Sequence, residues 1–157
     1  MFRPMRRFRQ QLSEADCIAL LKSEKRGVLS VLGDDGYPYG TPVDHWYNEA
    51  DGKLYFHGAK EGHRLDAIAR EPKASYCVID AGVQRENDWS KDFKSVIVFG
   101  RMELVEDEAC VKDALLHLTL KSTDASYFDE EWRKVGARVR ITALVPEHIS
   151  GKRVNES

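Results

Sequence analysis

One short segment of the sequence joins a strand to a helix and carries most of the residues suited to binding chemistry. Residues 54–57 have the composition of a strand, and residues 65–69 have helical spacing. The joint between them holds two glycines and three basic side chains, which are Gly58, Gly62, Lys60, His63 and Arg64. Free backbone N–H groups and the helix dipole favour an anion such as phosphate there. The alternative is a solvated loop that merely carries basic residues, and the spacing alone leaves both readings open.

Other binding motifs are missing from the sequence. No Gly-x-x-x-x-Gly-Lys-Ser/Thr pattern occurs, and no Gly-x-Gly-x-x-Gly follows a strand, so neither a P-loop nor a Rossmann cofactor site is supported. The five histidines show no metal-ligand spacing, and no metal site is expected. The three cysteines are far apart and lack a Cys-x-x-Cys spacing, which is typical of a reducing compartment. A cytoplasmic location follows as an expectation.

Length and composition predict one domain over residues 1–157, in which residues 1–12 form an arginine-rich arm. The arm lacks the apolar core of a secretory signal, and we expect it to lie on its own subunit or on a partner. The net charge of -2 gives no bulk attraction to nucleic acid. No apolar run is long enough to indicate a membrane span.

The remaining elements predict an α+β fold whose strands are grouped in hairpins. Strands are predicted over 27–32, 37–47, 53–57, 73–80, 93–105 and 137–145, and helices over 14–25, from 63 to Pro72, after Asp107 and over 129–134. The first three strands read as a meander, and the polar loop 81–92 reads as a possible lid. Gly100 predicts a bulge. His45 and Trp46 should lie on opposite faces, with Trp46 more consistent with the core. Six strands in this order indicate a barrel.

Seven short motifs carry a resemblance to a known family. In chain order they are Met5-Arg-Arg7, Asp35-Gly-Tyr-Pro-Tyr39, Pro42-Val43, Leu54-Tyr-Phe-His57, Gly62-His-Arg-Leu65, Ser95-Val-Ile-Val-Phe-Gly100 and Ser150-Gly-Lys152. Each motif is weak alone, but the series runs over nearly the whole chain. It resembles the FMN-binding split β-barrel proteins, and within them the pyridoxamine 5′-phosphate oxidase-related branch that contains the nitroimidazole-resistance proteins.

The resemblance implies a six-stranded antiparallel split β-barrel with flanking helices, which forms a homodimer with FMN in the clefts between subunits. It places four groups of residues on FMN: Thr41, Pro42, Val43 and Asp44 along the isoalloxazine edge, Gly58, Ala59 and Lys60 over the phosphate, His63 and Arg64 on the phosphate, and Lys94 and Ser95 near the ribityl-phosphate end. The family favours Lys or Arg at both basic positions, so His63 is a departure. Arg64 is therefore the main expected phosphate ligand.

The resemblance also places His57 beside the flavin, where it would donate a proton to a substrate. The alternative role for His57 is to hydrogen-bond the phosphate loop. The implied function is an FMN-dependent oxidoreductase that takes hydride from NAD(P)H and reduces a small planar acceptor such as a nitroaromatic compound or a quinone. Residues 145–153 lack the substrate-gripping arginine and histidine segment of true pyridoxamine 5′-phosphate oxidases, so vitamin B6 oxidation is not expected.

Two other classes of function remain open from the sequence. One is a non-catalytic FMN-binding module for storage or sensing. The other is a small barrel that binds single-stranded nucleic acid on aromatic side chains in a basic groove, which the near-neutral charge disfavours.

Overall fold

Eight antiparallel strands and four helices make up the chain in the computed structural model, which describes residues 1–136 and 138–155. The strands are β1 (Arg26–Leu32), β2 (Pro38–Asp44), β3 (Trp46–Asn48), β4 (Lys53–Gly58), β5 (Lys73–Ile79), β6 (Val83–Gln84), β7 (Lys91–Val105) and β8 (Arg140–Asn155). The helices are α1 (Glu14–Ser23), α2 (His63–Arg70), α3 (Glu108–Leu120) and α4 (Phe128–Val135).

The strands form one curled sheet in the order β2-β1-β5-β7-β8-β4-β3, with β6 paired to β7. All pairs are antiparallel. The predicted α+β split barrel is confirmed, but the prediction of six strands is wrong. Two strands were missed, because the predicted second strand is divided in two and because part of the predicted loop 81–92 forms β6.

The division of the second strand occurs at His45, which lies between β2 and β3. β2 pairs with β1, whereas β3 pairs with β4, so the predicted meander of the first three strands is wrong. The His45 N–H donates to the carbonyl of Lys25 at 3.1 Å and fixes this corner. The two ends of the sheet therefore meet at one residue, and the barrel is split between β2 and β3, the two edge strands.

The last two long strands pair along almost their whole lengths, from Asp92 opposite Asn155 to Val105 opposite Ile141. The last strand was predicted to end at Val145, but β8 continues to Asn155. The predicted bulge is confirmed, because the register shifts between Phe99 and Gly100. A Cβ atom at Gly100 would lie 2.2 Å from the carbonyl oxygen of Val145, so the strands approach there too closely for a side chain.

The segment predicted as a polar lid is folded against the start of β7. Val83 of β6 pairs with Asp92, and the Arg85 guanidinium contacts the Asp92 carboxylate at 3.1 Å. The segment thus has its own anchor on the sheet.

Two apolar clusters determine which faces of the sheet are covered. The inner cluster fills the barrel beneath α1, and its fully buried members include Leu21, Leu29, Phe56, Tyr76, Val96 and Val98. The second cluster packs Ala114 and Leu118 of α3 against Tyr55 and Ile141 on the outer side of β4 and β8. The predicted caps are confirmed, since Ser13 and Asp107 accept from backbone N–H groups in the first turns of α1 and α3.

Among the described residues, no helix covers the outer face of β1, β5 and β7 in this way. Val28, Cys77 and Ile97 lie opposite one another on these strands and therefore share one face. Phe99 is on the same face, two residues after Ile97. Phe2 of the N-terminal arm stacks on Phe99 at 5.6 Å, so the arm lies partly on its own chain. None of the helices in the described ranges is long and apolar enough to cross a membrane.

Candidate functional site

The predicted strand-to-helix joint is present at one end of the barrel. β4 ends at Gly58 and α2 begins at His63. Gly62 precedes the helix with a φ of 146°, which is a conformation that favours glycine. The joint therefore brings the first free N–H groups of α2 close to the end of β4.

Arg64 lies across the end of β4. Its Nη2 atom donates to the carbonyl of His57 at 3.4 Å. The guanidinium is half-buried, and burial lowers the pKa of Arg64 from its ordinary value. In residues 1–136 and 138–155 no carboxylate pairs with this side chain, which leaves a desolvated positive charge uncompensated. Such a charge is costly unless an anion joins it.

Gly58 allows the arginine to take this position. A Cβ atom at Gly58 would lie 2.6 Å from Nη2 of Arg64, too close for normal contact. The next two residues of the joint, Ala59 and Lys60, are exposed. The Lys60 ammonium makes no ion pair with the described residues, so it is free to approach the same anion.

His63, the other predicted phosphate ligand, is engaged elsewhere. Its Nε2 atom accepts from the N–H of Asp34 at 3.2 Å, and its ring stacks on Tyr39 at 4.0 Å. The ring is therefore tied to the turn between β1 and β2, and the lone pair of Nε2 is used by a backbone donor. His63 joins α2 to β2 across the split, while Arg64 remains the principal cation of the joint.

The four β2 residues predicted along the flavin divide between two faces of the strand. Thr41 and Val43 share one face, and Pro42 and Asp44 share the other. The Thr41 Oγ1 atom is buried and has no hydrogen-bond partner within the described part of the chain. The Asp44 carboxylate pairs with the Arg26 guanidinium at 2.6 Å, so it is not available as a free acceptor. Pro42 is exposed and leaves the edge of the sheet without one N–H donor.

A polar network behind β2 was missed by sequence reasoning. His45 is fully buried, with Nε2 2.6 Å from the carbonyl of Leu21 and Nδ1 2.7 Å from the hydroxyl of Tyr76. The same hydroxyl lies 2.8 Å from the carbonyl of Val43, so its single proton is shared between that carbonyl and Nδ1 of His45. Burial, reinforced by the Lys121 ammonium, lowers the pKa of His45 to about 4. The neutral ring therefore donates from Nε2 to the carbonyl of Leu21. The network fixes the backbone at the end of β2, directly before the corner at His45.

His57 presents its ring to the opposite side of β4 from Arg64. Only its backbone carbonyl contacts the arginine. The ring makes no hydrogen bond with the described residues, so the alternative in which it hydrogen-bonds the phosphate loop is not observed. Instead it lines a cavity of about 430 Å³, whose other walls include Leu118 of α3, Val135 of α4 and Tyr127, which directly precedes α4.

Trp46, as expected, is a core contact, packed under α3 and stacked on His117 at 4.0 Å.

Lys94 and Ser95 do not join the cradle within one chain. They lie near the start of β7, and the backbone N–H of Lys94 donates to the Asp80 carboxylate at 3.0 Å. Val105 is the β7 residue in line with His57, since both pair with Ile141. Ten residues separate Ser95 from Val105, which is roughly 30 Å along an extended strand.

Within the described residues, no group of three or more potential metal ligands comes together.

The joint, the split barrel and the order of its strands have a counterpart among known proteins. A family model described as pyridoxamine 5′-phosphate oxidase matches residues 13–153. This chain belongs to that family. Its members bind flavin and are often dimeric. Comparison with curated protein sequences gives no significant match.

Three solved structures show the same fold at low identity. A candidate 5-nitroimidazole antibiotic resistance protein from Bacteroides thetaiotaomicron has a TM-score of 0.76 and 19% identity, with 92% of this chain and 87% of that chain covered. A conserved hypothetical protein from Mycobacterium tuberculosis has a TM-score of 0.79 and 16% identity, covering 95% and 90%. An FAD binding protein from Mycobacterium smegmatis has a TM-score of 0.68 and 21% identity, covering 94% and 99%.

Proposed function

We propose that this protein is a homodimeric, cytoplasmic FMN-dependent oxidoreductase that takes hydride from NAD(P)H and reduces a small planar acceptor such as a nitroaromatic compound or a quinone. The observation that carries the proposal is the half-buried, uncompensated guanidinium of Arg64 at the start of α2. In a family of flavin-binding proteins, a phosphate is the natural anion for this position.

The residues present fit a flavin mononucleotide at both of its ends. Arg64, Lys60 and the free N–H groups of α2 would hold the phosphate, each charged hydrogen bond contributing roughly 1.5–3 kcal/mol. The buried Thr41 Oγ1 atom, which has no partner in the described chain, would contact the ring edge. Buried polar atoms without partners are uncommon, so Thr41 marks a place where a ligand group is expected.

The flavin would supply the redox chemistry, and the chain would position the reactants. We assign to His57 the transfer of a proton from its ring to an acceptor held in the cavity that it lines. The aliphatic wall from α3 and α4 would exclude water from that acceptor. The His45 and Tyr76 network would keep the β2 backbone in a fixed position beside the ring.

The apolar outer face of the sheet, which the N-terminal arm covers in part where Phe2 stacks on Phe99, supports the homodimer. Val28, Ile97 and Phe99 on this face are 43%, 39% and 40% exposed, a large apolar fraction for one sheet surface. Ser95 lies on the same face, in line with Ile97. A second copy seated there would cover these side chains. Its Ser95 would then be available to the cofactor of the first copy, which would account for the distance of Ser95 from the cradle of its own chain. Lys94 lies on the opposite face of β7 by the alternation of the strand, at the same end.

The proposal is tested by the colour and turnover of the purified protein. We expect a yellow dimer that releases FMN, not FAD, on denaturation and that oxidises NADH or NADPH when a nitroaromatic compound or a quinone is supplied under anaerobic conditions. Replacement of His57 by Gln should slow turnover at least tenfold while leaving the FMN content unchanged. A protein that retains FMN but shows no turnover with either nucleotide would contradict the oxidoreductase and leave a flavin-binding module.

A further inference from the structure

A hairpin with an exposed tryptophan at its tip joins β5 to β7. Trp89, at this tip, is 83% exposed, the highest fraction of any phenylalanine, tyrosine or tryptophan among the described residues. Its indole makes no ring contact and no hydrogen bond with the described part of the chain. The other two tryptophans, Trp46 and Trp132, are partly buried. The hairpin therefore presents a large apolar side chain that its own chain leaves in water.

Polar contacts within the hairpin hold the tip in one shape. The Arg85 guanidinium reaches the Asp92 carboxylate with two nitrogens, Nη2 at 3.1 Å and Nε at 3.3 Å. The Asp88 carboxylate accepts from the N–H of Ser90 at 3.0 Å and so closes a turn around Trp89. Because the tip is already ordered, little conformational entropy is lost when a partner covers Trp89.

The apolar outer face of the sheet continues to the base of this hairpin. Cys77 and Ile97 lie opposite each other near the middle of the face. Ile79 pairs with Ser95 on the same face and is 58% exposed, and the hairpin begins directly after it. A single exposed apolar residue is common on protein surfaces, but one that extends an apolar face indicates a protein interface. A second copy on this face also meets the hairpin.

Positions along β7 show which part of the second copy the hairpin reaches. Ile97 lies eight residues after Trp89 and eight residues before Val105. Val105 is in line with His57, since both pair with Ile141. When the two-fold axis of a dimer crosses the strands at Ile97, the start of β7 in one copy lies level with its end in the other. Trp89 of one copy is then level with His57 of the other, each about 26 Å from the axis along an extended strand.

The His57 cavity has an aromatic rim on the same side of the sheet. His57 is on the outer face of β4, because Ile141, with which it pairs, packs under α3. Three lining residues between α3 and the middle of α4 are exposed, namely Thr123, Tyr127 and Glu131. Tyr127 is 60% exposed, and its ring stacks on no other aromatic side chain of the described residues. Within one chain the cavity is open on this side.

We propose, on the basis of the homodimeric oxidoreductase above, that Trp89 of each copy packs against Tyr127 of the other copy and closes the cavity lined by His57. The two rings cover the open side, exclude water from a bound acceptor and give it a flat wall. Trp89 adds ring surface without charge, so the closure favours a neutral planar acceptor. Trp89 is thus a positioning residue, and each cavity is complete only in the dimer.

Site-specific cross-linking of the full chain tests this contact. The background carries Cys77→Ala and Cys110→Ser, which leaves only the buried Cys17. We expect a short bismaleimide to join most chains of the double variant Trp89→Cys/Tyr127→Cys into covalent dimers. Each of these two replacements alone should give almost none.

The matched control combines Trp89→Cys with Tyr37→Cys. Tyr37 is 74% exposed and lies in the turn between β1 and β2, so this pair should not cross-link. Turnover with 1,4-naphthoquinone gives a second readout. Trp89→Ala should raise the KM for the quinone at least fivefold, change kcat less than twofold and leave the FMN content unchanged, whereas Tyr37→Ala should change none of them.

The outcomes separate this contact from the proposed function. A dimer in which the Trp89/Tyr127 pair stays uncross-linked would overturn the contact and leave the homodimer standing, and so would efficient cross-linking of Trp89→Cys alone, which places the two hairpins together. An unchanged KM in Trp89→Ala would overturn the closure of the cavity. A monomeric protein would overturn both the homodimer and the contact. Cross-linking of the pair in a chain without turnover would support the contact and refute only the oxidoreductase.

Discussion

Arg64 is a half-buried basic residue and His45 a fully buried one, and the fold treats them in opposite ways. Arg64 keeps its charge without a counter-ion in the described chain, since the pKa of an arginine stays far above neutral even when burial lowers it. His45 is held neutral, because burial lowers the pKa of its ring to about 4. The first residue therefore calls for an anionic ligand, and the second is a structural part of the corner between β2 and β3.

The buried His45 predicts a loss of stability in acid. An unfolded histidine has a pKa near 6.5, so its folded value is the lower one, and the unfolded state takes up a proton first as the pH falls. The contribution of His45 is fully present above pH 6.5 and is lost progressively toward pH 4, by about 3 kcal/mol. Urea denaturation of wild type and His45→Gln between pH 7.5 and 4 measures this effect.

The control for this measurement is His117→Gln, which changes a partly exposed histidine on α3. We expect the His117 variant to keep the acid-dependent loss of the wild type and the His45 variant to lose most of it. Parallel pH dependence in all three proteins would show that His45 does not carry the effect.

At the scale of the elements, the sequence predicted those parts of the fold that local patterns specify. The caps Ser13 and Asp107, the bulge at Gly100 and the joint from Gly58 to Gly62 were all readable from residue type and spacing. These features depend on neighbours within a few residues, which is why the sequence was sufficient.

The errors at this scale arise where distant residues decide the structure. The strand 37–47 was predicted to be continuous because its alternation continues through His45. His45 leaves the sheet because its ring hydrogen-bonds to the carbonyl of Leu21 on α1 and to the hydroxyl of Tyr76 on β5, and no local pattern reveals these contacts.

The end of β8 was missed because Pro146 interrupts the strand pattern. Pro146 lies at the bulge, where the missing N–H is tolerated. The ring of His63 points away from the cradle for a similar reason, its stacking on Tyr39 across the split.

At the scale of the whole molecule, the apolar outer face predicts the oligomeric state. Replacing Ile97 with Glu would place a charge at the centre of this face, and burying it against a second copy would cost several kcal/mol. We expect the wild type to sediment as a dimer and Ile97→Glu as a folded monomer with reduced flavin occupancy. Sedimentation equilibrium over a range of concentrations, with absorbance at the flavin wavelength, measures both quantities.

Leu120→Glu is the matched control, since Leu120 is a similarly exposed apolar residue on α3, away from this face. It should remain dimeric. A monomeric wild type at tens of micromolar, or a dimer that survives Ile97→Glu, would show that the face of β1, β5 and β7 is not the subunit interface.

The central claim is that Arg64 holds the phosphate of FMN, and titration of the flavin-free protein with FMN and with riboflavin, which lacks the phosphate, tests it most directly. We expect the wild type to bind FMN about 100-fold more tightly than riboflavin, a difference of about 2.7 kcal/mol. Arg64→Ala should reduce that ratio to within a few-fold, whereas Lys73→Ala, which removes an exposed positive charge outside the cradle, should preserve it. Equal affinity for the two flavins in the wild type, or an unchanged ratio in Arg64→Ala, would contradict the account.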